Sequence, residues 1–167
     1  MPKKILIINA CGTIEGDVRM LLMGLPFLTK YGFQLHCISI PRGDVYKRLS
    51  SFPFMHMTTM ELGGREMRPP NRFDPFARIL DMVWATIQIV LLAWQLKIDA
   101  IYALDRTVSL QISYLVAKIV GIPLVVSAHQ PFYLEHSAKH RHIVKNANMV
   151  TVNSRFVYKR FLPHVDK

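Results

Sequence analysis

The chain has 167 residues, of which 51% are hydrophobic and only 19% are charged. This composition excludes an intrinsically disordered chain and predicts one domain with a largely buried sheet. Lysine and arginine number 21 against 11 acidic residues, so the formal net charge is +10. Such an excess predicts a surface that meets nucleic acid, a phosphorylated substrate or acidic lipid, and composition does not choose among the three.

The two cysteines, Cys11 and Cys37, are too few for a disulfide framework or a cysteine-based zinc site. Both lie in or beside apolar runs, which indicates free buried thiols in a reducing compartment. The basic first residues precede an apolar run that is too short for the core of a secretory signal peptide. We therefore expect a cytoplasmic protein.

Two kinds of apolar segment alternate along the chain. Short runs rich in β-branched residues are typical of strands buried on both faces of a parallel sheet, and longer segments between them are typical of helices. The predicted strands are 4–9, 33–40, 100–104, 123–127 and 149–153, and the predicted helices are 18–31, 76–96, 108–120, 133–146 and 154–162. The alternation predicts an α/β fold, with a doubly wound, mostly parallel sheet in a single Rossmann-like domain.

Local signals refine these boundaries. Asp17 and Ser154 are candidate N-caps of the first and last helices, and Pro26 predicts a kink or an early break in the first helix. The stretch at about 41–75 has the composition of a long variable loop, within which residues 52–60 are a candidate strand.

Residues 82–96 form an apolar run of 15 residues without a charged residue. A membrane-spanning helix needs roughly 20 apolar residues, so this run of 15 is short for that purpose. It predicts a buried or interfacial helix, with docking on a bilayer as the alternative.

Ligands of open α/β sheets bind beyond the carboxyl ends of the strands. The loop at 10–17 contains Gly12 and Gly16 and leads into a helix, where backbone amides can bind a phosphate. It lacks the spacing of a dinucleotide-binding motif or a P-loop, so a plain turn is an equal alternative. His129 follows the predicted strand at 123–127, a position suited to a general base or to a sugar or phosphate contact, against the alternative of a histidine bound to backbone.

A second polar cluster consists of Glu135, His136, His140 and His142. His136 and His140 would share one helix face, as in half a zinc site, but no third ligand stands at a signature distance, and a solvated basic face is preferred. From residue 133 onward, the chain has seven Lys or Arg and only two acidic residues. This charge suits phosphates or anionic lipid, and nucleic acid is disfavoured because no RNA- or DNA-binding motif accompanies it.

Three stretches, in this order, resemble the N-terminal domain of GT-B glycosyltransferases of the family 4 type. In the first, residues 5–32, Gly16 and Arg19 fit the family's Gly-Gly-x-x-Arg loop, with Asp17 in place of a glycine. Gly32 fits the glycine that closes the following helix, although Phe33 stands where histidine is common.

The second and third stretches complete the resemblance. In residues 99–132, His129 matches a histidine of the family, whereas Gln130 replaces the usual aspartate. In residues 147–155, Ser154 matches the family's serine, and Asn148 replaces an aspartate.

The resemblance implies transfer of a sugar from a nucleotide-sugar donor to an acceptor hydroxyl, usually with retention and without an obligatory metal or other cofactor. It places Gly16, Arg19 and, less directly, Gly12 near the donor diphosphate, and His129 near the transferred sugar as the catalytic residue. Many members dock on membranes, which suits a peripheral location on the cytoplasmic membrane face. The remaining candidates for acceptor or anion binding lie in the strand-end loops and are Asp105, Arg106, Gln130, Ser154 and Arg155.

The donor-binding domain of that family carries a Glu-x7-Glu pair. This chain has four glutamates, and none is followed by another eight positions later. The resemblance therefore implies that residues 1–167 are the acceptor-side domain, that the C-terminal donor-binding domain is absent from this sequence, and that the chain alone is inactive. Its partners would be that domain or a separate donor-binding chain, in glycan or glycolipid synthesis.

Two other hypotheses remain open. One is a non-catalytic, membrane-docking subunit that recruits a separate donor-binding chain. The other is an α/β domain that binds nucleic acid or a small nucleotide.

Overall fold

The computed structural model describes residues 2–10, 12–14, 16–41, 43–60, 62, 74–104, 107–129 and 137–165. The strands are β1 (Lys4–Asn9), β2 (Gln34–Ser39), β3 (Met55–Thr59), β4 (Ala100–Leu104), β5 (Leu124–Ala128) and β6 (Met149–Val152). The helices are α1 (Gly16–Lys30), α2 (Gly43–Ser50), α3 (Asp74–Leu96), α4 (Thr107–Val120), α5 (Ala138–Lys145) and α6 (Arg155–Val165).

The six strands form one parallel sheet in the order β3-β2-β1-β4-β5-β6. This confirms the predicted α/β class and the doubly wound, Rossmann-like sheet. The direction of winding reverses between β1 and β4, and ligands of such sheets bind at the carboxyl ends of the strands near this point.

Each face of the sheet packs against its own set of helices, because successive side chains of a strand point to opposite faces. On the first face, Ile7, Leu35 and Cys37 pack with α1 and α2. On the second face, Leu6 and Ile101 pack with α3, α4, α5 and α6. We call these the α1 face and the α3 face. Helices on both faces explain why the strands are continuously apolar in sequence.

The stretch at about 41–75 is not a loop throughout, and the prediction is corrected there. Helix α2 and strand β3 both lie within it. Val45 and Leu49 are the buried residues of α2, and two apolar residues in one short helix are too few to show a helical period. Strand β3 is a shorter form of the candidate at 52–60, and residues 63–73 lie outside the described part of the chain.

Pro26 lies inside α1, which continues to Lys30, so the predicted early break is wrong. The residues after the proline are held in place by the rest of the domain. The amide of Tyr31 donates to the carbonyl of Phe27 at 3.0 Å, and Leu28 packs against the core of the α1 face. Packing and these late hydrogen bonds offset the backbone donor that proline removes.

The helix caps agree only in part with the prediction. Helix α1 begins at Gly16, so Asp17 lies in its first turn and not at the preceding cap position. Ser154 caps α6 as expected, because its Oγ accepts a hydrogen bond from the amide of Val157 at 3.2 Å. Ser137 caps α5, which therefore begins later than the helix predicted at 133–146.

Cys37 is a buried thiol, as predicted, with 1% of its surface exposed. Burial raises the pKa of this thiol to about 12, because a thiolate is poorly solvated in the core. In a Cys11→Ser variant, Cys37 is the one cysteine left, and we expect no reaction of the native protein with DTNB but full reaction in guanidinium chloride. Rapid labelling of the native variant would contradict this burial.

Candidate functional site

Polar side chains cross the carboxyl edge of the sheet on its α1 face. Asn9 pairs in register with Ser39 of β2, and Ser127 of β5 pairs with Thr151 of β6. Leu104, the register partner of Ser127, stands between the two pairs. Asn9 and Ser39 are fully buried, and the Asn9 Nδ2 donates to the Ser39 Oγ at 3.1 Å. This edge therefore carries hydrogen-bonding groups on strands that are otherwise apolar.

His129 follows β5 on the same edge. Its Nε2 lies 2.7 Å from the Oγ of Ser127, a residue with 3% of its surface exposed, while His129 itself is half-buried. The hydroxyl donates when Nε2 is unprotonated and accepts when Nε2 carries the proton. The other ring nitrogen, Nδ1, is buried, so a sugar hydroxyl could bind or transfer a proton to this imidazole only if the ring turned or its surroundings shifted. The structure thus positions His129 through a rigid strand, and its catalytic role stays a prediction.

The loop after β1 is fastened to two helices. The amide of Ala10 donates to the Oγ of Ser109 in the first turn of α4 at 2.9 Å. The carbonyl of Gly12 accepts from the amide of Val45 in the first turn of α2 at 3.4 Å. The carbonyl of Gly12 is therefore bound to α2. A phosphate contact at this residue stays a prediction.

Gly43 makes the close approach of α2 to this loop feasible. Its φ is +87°, and a Cβ at this position would lie 2.8 Å from the Cα of Gly12 and would collide with the Gly12 carbonyl. Only glycine avoids both the strained backbone and the overlap. The sequence prediction assigned no role to Gly43, although a glycine just after an apolar strand is the signal that could have found it.

Two of the predicted donor-side residues come together in the first turn of α1. Gly16 is the first residue of the helix, and a Cβ there would meet no atom within 4 Å. Arg19 lies three residues later and is exposed. A helix N-terminus has positive potential, to which Arg19 adds a cation, so this end of α1 is suited to an anion.

The acceptor-side candidates are only partly described. Ser154 uses its hydroxyl to cap α6, and Arg155 is the exposed first residue of that helix. The structure thus gives Ser154 a structural role, and its role in acceptor binding stays a prediction. Asp105, Arg106 and Gln130 lie outside the described residues.

Sequence reasoning missed four polar residues at this edge. Ser109 binds the loop after β1, and Ser127 binds His129. Asn9 and Ser39, which bind each other, are the last residues of β1 and β2. A polar residue that ends a buried apolar strand is the signal that could have identified the strand residues, because burying it there requires a partner.

The sequence predicted a solvated face for the histidine cluster, but one of its histidines on α5 is buried. His140 is 2% exposed, and its Nδ1 lies 3.0 Å from the Oγ of Ser137. Burial lowers the pKa of His140, since the imidazolium loses its hydration there. His136 lies outside the described residues, within which no group of three or more His, Cys, Asp or Glu side chains could hold a metal ion.

Comparisons with known proteins give matches among solved structures. No model of a protein family matches the sequence, and no curated protein matches it either. The structure of MurG from Acinetobacter baumannii matches 93% of this chain and 42% of its own, with a TM-score of 0.68 and 19% identity. A glycosyltransferase from Rickettsia africae matches 96% of this chain and 39% of its own, with a TM-score of 0.64 and 18% identity. The chain has the fold of one half of a GT-B protein.

The match to one half of the GT-B fold confirms the fold that the resemblance implied. The chain spans less than half the length of these structures, so it corresponds to one of their two halves. A UDP-N-acetylglucosamine 2-epimerase also matches all of this chain and 46% of its own, with a TM-score of 0.68 and 11% identity. Glycosyltransferases and epimerases thus share this fold.

Proposed function

We propose that this chain is the N-terminal, acceptor-side half of a retaining glycosyltransferase that moves a sugar from a nucleotide-sugar to an acceptor hydroxyl in glycan or glycolipid synthesis. The observation that carries the proposal is the match of its sheet to two transferases, over 93% and 96% of the chain. The position of His129 beside the strand edge supports it. The alternative of a non-catalytic docking subunit is not favoured, since the matched proteins are named as enzymes.

The geometry of the edge suggests a division of roles. Strands β1 and β5 flank β4, so the loop that leads to α1 and the loop that begins with His129 are about two strand spacings, roughly 10 Å, apart. In the proposal, the first turn of α1 and Arg19 bind the donor diphosphate, and His129 contacts the transferred sugar or the acceptor. This span is suited to a phosphate at one end and a sugar ring at the other.

The proposed reaction is a substitution at the anomeric carbon with retained configuration. The acceptor oxygen forms a bond to the anomeric carbon on the face from which the diphosphate departs, while the bond from that carbon to the diphosphate oxygen breaks. The nucleoside diphosphate leaves with the electron pair, and the acceptor proton passes to a base or to the leaving phosphate. The positive end of α1 stabilises the charge that develops on the diphosphate. The proposal invokes no metal or other cofactor.

The second half of the fold is required for this reaction. In the proposal it binds the donor and either follows in the same polypeptide or belongs to a separate chain. The chain alone is then inactive. We also propose a cytoplasmic location, because the enzyme would meet its nucleotide-sugar donor there.

The test uses the protein that contains this half together with its donor-binding half. Labelled nucleotide-sugars are supplied with and without candidate acceptors, and the labelled product and the free nucleoside diphosphate are both measured. We expect the two to form in equal amounts, only when acceptor is present, and with retained anomeric configuration by NMR. Conversion of the nucleotide-sugar to an epimer without acceptor would instead support the activity named for the matched epimerases.

A further inference from the structure

Helix α3 has two apolar sides. Ala85, Ile89 and Ala93 are buried in the core of the α3 face. On its other side, large apolar residues spaced three or four apart are between 46% and 61% exposed. This α3 stripe consists of Ile79, Leu80, Val83, Trp84, Ile87, Leu91 and Trp94. Single exposed apolar residues are ordinary on a protein surface, but a continuous ridge of them indicates an interaction site.

From residue 82 onward the stripe runs along a helix without charge, and only Asp81 lies within the first turn of the stripe. Residues 82–96 contain no Lys, Arg, Asp or Glu. Helix α4 packs beside α3 and exposes Leu115 and Ile119. Exposed apolar side chains therefore occur on both of these adjacent helices.

The same layer of the domain is strongly basic. Helices α4, α5 and α6 pack on the α3 face and together carry seven Lys or Arg and no acidic residue. A cationic layer beside an apolar ridge complements a surface that is both anionic and apolar. We propose that the α3 stripe lies flat in the surface of an anionic lipid bilayer, with the basic helices of the α3 face toward the headgroups. This proposal does not depend on the proposed sugar transfer.

The stripe is suited to the bilayer surface and not to a crossing. Residues Ile79–Leu96 have a mean hydropathy of 1.6, which by length and composition would permit a crossing. The buried side of α3, however, belongs to the same core as the sheet, and a crossing would take Ala85, Ile89 and Ala93 out of that core. A helix that keeps its core contacts can offer only its outer side to lipid.

The composition of the stripe favours lipid over a protein partner. Trp84 and Trp94 lie ten positions apart, about 15 Å along the helix, and tryptophan is enriched where membranes meet water. The stripe is a convex ridge without a charged group between residues 82 and 96, so it offers a protein partner little to fix its register. Net attraction from a chain of charge +10 adds to the apolar term at an anionic surface.

Both tryptophans of the chain lie on the stripe, so tryptophan fluorescence, excited selectively over the six tyrosines, reports on it alone. The protein is titrated with vesicles of phosphatidylglycerol and phosphatidylcholine, or of phosphatidylcholine alone. We expect a shift of emission to shorter wavelength with anionic vesicles, quenching by acyl-brominated lipid, and flotation of the protein with the vesicles. Emission that does not change, or flotation without quenching, would overturn the insertion of the stripe.

Variants distinguish binding through the α3 stripe from nonspecific adsorption to the vesicles. Ile87→Ser with Leu91→Ser keeps both tryptophans and removes two side chains that are 46% and 57% exposed. Its partition coefficient between vesicles and water should fall about 100-fold. Each substitution removes the exposed half, roughly, of an apolar side chain that lipid would otherwise cover.

The matched control is Met23→Ser with Phe27→Ser on α1, on the opposite face of the sheet, where the side chains are 68% and 63% exposed. Circular dichroism shows whether both variants fold. The bilayer proposal would be overturned if binding fell equally in the control. It would also be overturned if the stripe caused self-association and the protein did not bind anionic vesicles.

Discussion

A Gly43→Ala substitution lowers the free energy of unfolding by about 3 kcal/mol. The φ of +87° strains any residue with a Cβ, and that Cβ would overlap the backbone of Gly12, which cannot move aside as the end of a flexible side chain could. Urea unfolding followed by circular dichroism measures the loss. Because the contact holds the loop after β1 to α2, we also expect the loop to shift.

Gly24→Ala is the matched control for Gly43→Ala. Gly24 lies inside α1, and a Cβ there would meet no atom within 4 Å. Alanine should stabilise this helix by about 0.5–1 kcal/mol, because it has less conformational freedom to lose than glycine. If the two substitutions changed stability in the same direction, the close contact at Gly43 would not be the cause.

A His129→Ala substitution in the complete enzyme lowers turnover by about 100-fold or more while leaving the fold intact. The residue stands at the end of β5, half-buried, with its imidazole bound to Ser127. Loss of one such hydrogen bond costs about 1 kcal/mol of stability, which is small beside the expected loss of activity. The measurements are kcat and KM with a nucleotide-sugar, together with the melting temperature of each protein.

His142→Ala is the control for His129→Ala. His142 is an exposed histidine of α5 whose Nε2 lies 3.1 Å from the hydroxyl of Tyr114, so it has a comparable bond outside the proposed site. Its removal should leave turnover unchanged. Full activity of the His129 variant, or an equal loss in the His142 variant, would remove His129 from the mechanism.

Much of the fold could be predicted because it depends on local patterns. Strands β1 and β4 have the bounds read from the sequence, since strands buried on both faces are apolar without interruption. Helix α2 was missed because it is a short surface helix with two buried residues, Val45 and Leu49. The break expected at Pro26 was wrong because packing after the proline outweighed the lost hydrogen bond.

The candidate site was predictable only in its coarse position. The strand-end rule found His129 and the turn at Gly16, because a parallel sheet gathers its carboxyl ends at one edge. It could not find Ser127 as the partner of His129, since a serine inside a strand gives no sign of what it binds. It gave Ser154 a ligand role, although the hydroxyl caps α6.

The sequence by itself determined the parallel α/β fold, the basic charge and the strand ends where ligands bind, because period, composition and chain order carry these properties. Only the tertiary structure decided which residues meet across long separations, such as Gly43 with Gly12. It also decided that α3 shares its face of the sheet with three basic helices. An apolar run shows that a helix can be buried, but only the packed sheet determines which side of it is covered and which side is left for lipid.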